Sequence, residues 1–428
     1  MRTAVFVVPY ALESTLRFLR AAANLADLRL AVVSQEAESK LPEDVRKRLA
    51  AHVRLEDALD ADQLERAVRE AGTRLGGRVD RLIGILEQLQ EPLAAVRERL
   101  RIPGMDREEA RNFRDKSRMK ELLRAADLPC AKHGLARSRA EALKLAHEIG
   151  YPLVAKPPAG AGARNTVRVS SETELESYVR TIPPRPEAPL LLEEFVVGRE
   201  HSFDSVSLNG EHVLHSISHY YPSPLEVMEQ PWMQWCVVLP RDVSGPEYDD
   251  IRVAGRKALD VLGMRTGLTH MEWFRREDGT IAISEVAARP PGAQFTTLLS
   301  LSHDQDFYSA WAELVVFDRF HVPERRFAAG SIFLRGQGDG VVKRVHGVEE
   351  IAEDVRGLLC DVRLPRPGQP QGQSYEGQGY ILLRHESTDV LLDAMKRLLA
   401  TIRVELVQPG AAPSGEVGVG KAGGGTKR

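Results

Sequence analysis

The chain has 428 residues, 43% of them hydrophobic and 28% charged, with a formal net charge of −3. That length allows roughly two to four domains with ample core, and so balanced a charge gives no global pull toward nucleic acid or an anionic membrane surface. Cys130, Cys236 and Cys360 stand far apart and fit no CxxC spacing, which argues against a zinc site or a disulfide framework and for reduced intracellular thiols.

The amino terminus carries too short an apolar run for a signal peptide and has no small-residue cleavage site. No window approaches the roughly 18 consecutive apolar residues of a membrane span, so a cytoplasmic protein is expected. Residues 3–9 and 28–34 are continuous apolar runs of buried-strand type, residues 12–25 and 61–75 have helical spacing, and residues 81–86 make a third strand. This alternation implies a parallel α/β sheet. The turn Val8-Pro9-Tyr10-Ala11 lacks the glycine fingerprint of dinucleotide binding, so residues 1–105 are expected to form a Rossmann-like domain without an assigned ligand.

A helix over 107–126 carries Lys116 in Asp115-Lys116-Ser117, without the preceding glycines of a P-loop. A second helix over 138–149 is closed by Gly150. The strand 151–156 then delivers Lys156 into a run of small residues that includes Gly160 and Gly162 and turns back into a strand over 166–169. Such a loop brings backbone N–H groups close to phosphate oxygens, and Lys156 adds a fixed positive charge. After a helix over 172–181 and a proline-rich break, the strand 190–196 contains Glu193, Glu194, Phe195 and Val196, and Glu200 follows. A strand edge here suits an adenine edge, and Glu200 suits ribose hydroxyls.

Strands over 203–208 and 212–220 flank Asn209-Gly210, a hairpin signal. His212 and His215 face opposite ways on such a strand, so structural or pocket histidines are expected rather than a zinc site. Residues 222–235 hold Trp232, Trp235, two methionines and prolines. They make a poor regular element and a suitable apolar lid over a substrate.

After a helix over 249–262 comes the stretch 268–294, read as two strands joined by the turn Arg275-Arg276-Glu277-Asp278-Gly279. Glu272 and Glu285 lie where their side chains converge, and paired carboxylates suit Mg²⁺, a hard cation taking oxygen ligands. Arg289 places a guanidinium beside the same phosphates, and His270 joins the substrate candidates. Residues 307–317 read as a buried helix. From residue 327 onward the pattern turns to short strands with one late helix over 388–399 and a final strand over 402–407, and Arg335 is a candidate for a substrate carboxylate. The last twenty or so residues are glycine-rich and without apolar periodicity, as in a disordered tail.

Taken in order and spacing, Lys116, Lys156 with its small-residue loop, Glu193 to Val196, Glu200, Glu272 and the segment from Glu285 to Arg289 resemble the ATP-grasp superfamily. The resemblance implies an α/β (α+β) ATP-grasp fold: a Rossmann-like domain over 1–105, a small lid subdomain over 106–190, a large subdomain with the metal site over 191–326, a β-rich closing subdomain over 327–408 and a tail over 409–428. It implies that Lys116 and Lys156 hold the ATP phosphates, that Glu193 or the peptide run Glu194-Phe195-Val196 forms the adenine hinge, and that Glu200 meets the ribose. Glu272 and Glu285 would be the Mg²⁺ (or Mn²⁺) pair and Arg289 the arginine that stabilises the transferred phosphoryl group. Ala287 departs from the pattern, because many members carry an asparagine metal ligand there; the form Glu285, Ala287, Ala288, Arg289 is similar to that of bacterial L-amino-acid ligases. The expectation is an ATP-dependent carboxylate–amine ligase working through an acyl-phosphate on amino acids or similar small acids, with small-molecule partners, no nucleic acid or membrane, and the homodimer common among relatives. A purine-pathway or carboxylating ATP-grasp enzyme and a non-catalytic ATP-binding protein are the alternatives.

Overall fold

The computed structural model describes residues 1–159, 166–230, 232–372 and 374–408; Gly160, Gly162 and the tail expected over 409–428 lie outside them. At the amino terminus four parallel strands pair in the order Ala51–Arg54, Leu28–Ser34, Arg2–Val7, Arg81–Ile83. Both faces are covered, which explains the continuous apolar runs. Val5, Val7, Ala31 and Val33 pack on the helices Ala61–Arg74 and Gln90–Leu100, while Ala4, Phe6 and Val32 face the helices Glu13–Ala23 and Phe307–Phe317. Phe6 and Phe18 close on Trp311 at ring-centroid distances of 5.7 and 5.0 Å. The strand Ala51–Arg54 was not expected, since Val53 is the one side chain in it that is fully buried.

The expected helix over 107–126 is two helices, Arg107–Arg114 and Lys116–Ala125. Asp115 between them takes an extended conformation and its carboxylate accepts from the backbone N–H groups of Ser117 and Arg118 at 3.1 and 3.2 Å, capping the second helix. Lys116 is thereby the first residue of a helix rather than a mid-helix residue on a solvated face.

A small antiparallel sheet follows, in the order His133–Ala136, Leu190–Glu194, Leu153–Lys156, Val167–Val169, with the helices Arg139–Ile149 and Glu172–Thr181 packed on it. The largest sheet has eight antiparallel strands in the order Ile281–Ala287, Gly267–Arg276, Gly198–Leu208, Glu211–Tyr221, Trp235–Leu239, Ala328–Leu334, Gly379–His385, Leu359–Arg363. The strands expected after residue 327 are present, and three of them extend this sheet; Gly336–Gln337, Val341–His346 and Arg403–Val407 form a small sheet of their own. Residues 222–234 contain a short helix, Pro224–Glu229, where no regular element was expected; Ser223 caps it through the N–H of Glu226. Among the described residues no helix is long and apolar enough to cross a membrane.

Gly198 starts the strand that leads to Glu200 and pairs with Arg276 on the neighbouring strand. A Cβ at position 198 would overlap the Arg275 carbonyl oxygen, which belongs to a ladder with no slack. Gly198→Ala is therefore expected to destabilise the fold by about 1–3 kcal/mol, measured as a fall in urea midpoint.

Candidate functional site

The register of the central sheet brings the chemistry to one face. Paired residues of an antiparallel ladder share a face, and alternate residues along each strand repeat it. Glu272 pairs with Glu285 on one side and Ser202 on the other; His270 pairs with Ala287 and Asp204; Phe274 pairs with Glu200. Ser218 pairs with Ser202, and the same parity carries Tyr220 and then Trp235 onto this face. A bulge at Ser284 interrupts the ladder between Glu285 and Ile283. It frees the Ser284 carbonyl, which accepts from Lys120 Nζ at 2.7 Å.

Above this face lies a cavity of about 800 Å³ lined by residues of both antiparallel sheets, of a size suited to a small-molecule site. Lys116, Lys156, Glu193 to Val196, Glu200, Trp232, Trp235, His270, Glu272, Glu285 and Arg289 all line it. Arg335 does not. Its side chain is buried, and Nη1 donates to the carbonyl oxygens of Val227, Gln230 and Met233 at 2.5, 3.0 and 3.1 Å. Arg335 thus fastens residues 227–233 from behind instead of facing a substrate carboxylate, and burial without an anionic partner pushes its guanidinium below the usual arginine range.

Charge in the cavity is paired. Lys116 Nζ lies 2.6 Å from Glu285, and Lys156 Nζ lies 2.9 Å from Glu193. Lys120, one turn after Lys116 and fully buried, stands 3.6 Å from the other Glu193 oxygen. Burial alone would raise the Glu285 carboxyl, yet the charges of Lys116 and Lys156 outweigh it and hold it at about 2. Glu193 is likewise below the usual range, burial being overcome by Lys120 and Lys156. Its carboxylate is therefore engaged with Lys120 and Lys156 rather than turned to the strand edge beyond it. There the N–H groups of Glu194 and Phe195 already donate to the carbonyls of Lys132 and Pro152, the Glu194 carboxylate pairs with Arg276 at 2.7 Å, and Arg168 stacks over the Phe195 ring at 4.3 Å. Glu200 is raised well above the usual carboxylate range by burial and by the charge of Glu272.

Two further partners complete the site. Arg289 Nε donates to Glu87 at 2.5 Å, and Nη1 donates to the Pro290 carbonyl at 3.0 Å. Glu87 belongs to the amino-terminal segment, is buried, and has Arg114 3.8 Å away. His270 Nδ1 lies 2.5 Å from Asp204, whose other oxygen accepts from Ser202 Oγ at 2.7 Å; His270 Nε2 lies 3.7 Å from Glu272. Burial would lower His270, but Asp204 and Glu272 lift it to about 10. Glu87, Lys120, Asp204, Tyr220 and Tyr375 were not singled out from the sequence. Lys120 had a signal, the spacing of four from Lys116 on a helix; Asp204 had one too, the shared parity with Glu200. Glu87 and Tyr375 had none.

The donor set is one of oxygens. Glu272 and the ionised Glu285 face each other across a ladder, with Glu200 on the same face, and this chemistry fits a hard divalent cation. Ala287 supplies no ligand, and the imidazole across from it is His270.

Residues 121–305 match the family model of the ATP-grasp domain. Among curated proteins, the uncharacterized protein y4rH of Sinorhizobium fredii is 26% identical over 338 residues, 76% of this chain and 68% of that protein. The carbamoyl phosphate synthase large chain of Rubrobacter xylanophilus is 29% identical over 218 residues, 48% of this chain but 20% of the synthase. Among solved structures, an L-amino acid ligase from Bacillus licheniformis superposes with a TM-score of 0.76 at 20% identity, covering 95% of this chain and 99% of that one. The N5-carboxyaminoimidazole ribonucleotide synthetase from Thermotoga maritima gives 0.69 at 16% identity, covering 95% of this chain and 100% of that one. At these identities the superpositions establish the fold, a mixed helix and sheet ATP-grasp architecture.

The Asp204–His270 pair makes stability depend on pH. His270 has a folded value of about 10 against an ordinary 6.5, so its contribution is complete below pH 6.5 and is lost as pH rises toward 10. Without nucleotide or metal, the Tm gap between the native chain and His270→Asn should be widest at pH 6 and close by pH 10; a gap constant with pH would refute the ionised pair.

Proposed function

Because residues 121–305 form an ATP-grasp domain, we propose that this chain is an ATP-dependent carboxylate–amine ligase that forms an amide bond on amino acids or similar small carboxylic acids. The observation that carries the proposal is the face described above, where opposed carboxylates, paired lysines and Arg289 surround one cavity. The B. licheniformis L-amino acid ligase and the T. maritima synthetase, both fold neighbours over nearly the whole chain, support ligase chemistry.

Adenine enters between Ala131, Val154, Phe195 and Ile283, against the peptide run ending at Val196, with Glu200 at the ribose. Lys116 and Lys156 turn from their carboxylates to the phosphate oxygens, so cations already desolvated and oriented meet the polyanion. Glu272 and Glu285 would hold Mg²⁺ or Mn²⁺, which when bound supplies charge neutralisation between phosphate oxygens. The substrate carboxylate oxygen then attacks the γ-phosphorus and the bond to the ADP oxygen breaks, giving acyl-phosphate and ADP. Arg289, held at Nε by Glu87, faces the transferred group with its outer N–H bonds. The amine attacks the acyl carbon, a C–N bond forms, phosphate leaves and the amine gives up a proton. His270, cationic beside Asp204, complements the negative charge of the bound acid. Every step relies on positioning and electrostatics.

A purine-pathway or carboxylating reaction is favoured by fold likenesses such as that to the T. maritima synthetase. ADP release from Mg²⁺–ATP across crossed panels of acids and amines, with mass spectrometry of products, separates the readings: a two-substrate condensation product supports the ligase, and dependence on bicarbonate supports the other. Glu285→Gln should cut turnover at least about 10²-fold with Tm within a few degrees of native; near-native turnover would remove Glu285 from the reacting centre. Glu87→Gln should lower kcat by about 10²-fold through misaimed Arg289 while KM for ATP stays unchanged, and Glu87→Asp should recover part of it.

A further inference from the structure

The half of the cavity away from the adenine slot is built from rings. Trp235 stands at its back, buried, with Tyr375 edge-on at 4.5 Å, Tyr220 edge-on at 5.5 Å and Phe295 at 6.3 Å. Phe295 also closes on Tyr220 at 5.8 Å and on the His270 imidazole at 5.1 Å. Behind Trp235, Phe333 stacks at 5.0 Å on the next strand, so the back wall is rigid. Each ring comes from a different element: two strands, the first turn of the helix Phe295–His303, and the loop at Tyr375.

This box adjoins the reacting centre. The Tyr375 phenol feels the charges of Glu376, Glu272, Arg289 and Glu285, and the Tyr220 phenol those of Glu272 and Asp204. At its base stands the Arg289 guanidinium, which would take a carboxylate; the four rings are neutral, and Glu376, next to Tyr375 and with its carboxyl raised by burial, lines the same cavity. The walls do carry polar edges: the indole N–H of Trp235 is buried without a hydrogen-bond partner, and the phenols of Tyr220 and Tyr375 have none among the described residues. Burial keeps both phenols protonated. A ligand that fills the box meets aromatic faces and neutral donors.

Resting on the ligase reading, we propose that the acid substrate carries a bulky, uncharged, ring-sized side chain, which Tyr220, Trp235, Phe295 and Tyr375 enclose while its carboxylate sits at Arg289. Glycine-sized acids leave the box empty, and a charged side chain would give up its water against four rings that offer no counter-ion. Dispersion and apolar burial on four rings separate the classes, and size selection in apolar pockets is worth 10- to 200-fold per methylene at most.

The test measures kcat/KM for ADP release from Mg²⁺–ATP with L-phenylalanine, L-leucine, glycine, L-aspartate and L-lysine as the acid, each crossed with the same set of amines and with products identified by mass. Phenylalanine should exceed glycine and aspartate by about 100-fold whichever amine is present. Tyr375→Ala should narrow the phenylalanine-to-glycine ratio about tenfold with KM for ATP unmoved; Phe295→Leu, which removes less volume and keeps an apolar side chain, should narrow it in the same sense. Equal use of small or charged acids, or selectivity that follows the amine, overturns the inference and leaves the ligase standing. ATP binding with no ADP formed from any pair overturns the ligase reading and the inference together.

Discussion

The structure depends on keeping three ammonium groups out of water without leaving any of them uncompensated. Lys116, Lys120 and Lys156 are each largely buried, and an unpaired buried charge carries a penalty of several kcal/mol. Glu193 stands between Lys156 and Lys120, while Glu285 takes Lys116. Satisfying these pairs ties together the helix Lys116–Ala125, two strands of the small sheet and the edge strand Ile281–Ala287 of the large one. Burial still pushes Lys120 below the ordinary lysine value despite Glu193, so the Ser284 carbonyl exposed by the bulge matters to it as much as the carboxylate does. On the proposed function, a polyanion entering here would exchange partners with lysines already desolvated, leaving little reorganisation to binding.

The other organising element is parity. Since strand side chains alternate with period two, one register decides the content of an entire face. Glu285, Glu272, Ser202 and Ser218 run across four strands as a row, and His270, Asp204 and Ala287 make the next. The apolar residues between them, Met271, Trp273 and Val286, go to the opposite face and bury against the helix Asp249–Leu262. The same alternation therefore builds core and cavity at once.

This is why the large sheet was the most legible part of the chain. The alternation of Thr269, Met271 and Trp273 with His270 and Glu272, and the turn residues before Ile281, were enough to place two glutamates opposite each other. What could not be read has physical causes. Both sides of Asp115 have helical spacing, and only the competition of its side chain for backbone N–H groups splits the helix. Arg335 reads as a candidate for a substrate carboxylate because nothing local reveals that carbonyls of a segment about a hundred residues earlier need donors. Lys120, Glu87 and Tyr375 acquire their surroundings from long-range packing, which leaves no periodic trace. Residues 222–235 read by composition as a lid, and composition discloses neither the short helix Pro224–Glu229 nor that Trp235 opens a buried strand of the large sheet.

One contact has a consequence for how this chain can be rearranged. Arg289 takes its aim from Glu87, 202 positions away in the sequence and on the far side of the seam between the parallel sheet and the rest of the molecule. The seam therefore works as a gauge: a displacement of the amino-terminal sheet too small to unfold anything is transmitted to the guanidinium. A foreign amino-terminal sheet grafted onto this chain would have to match the Trp311 packing and the Asp318 ion pairs to keep the architecture, and would still fail at the arginine unless the graft restored an acid at that spot.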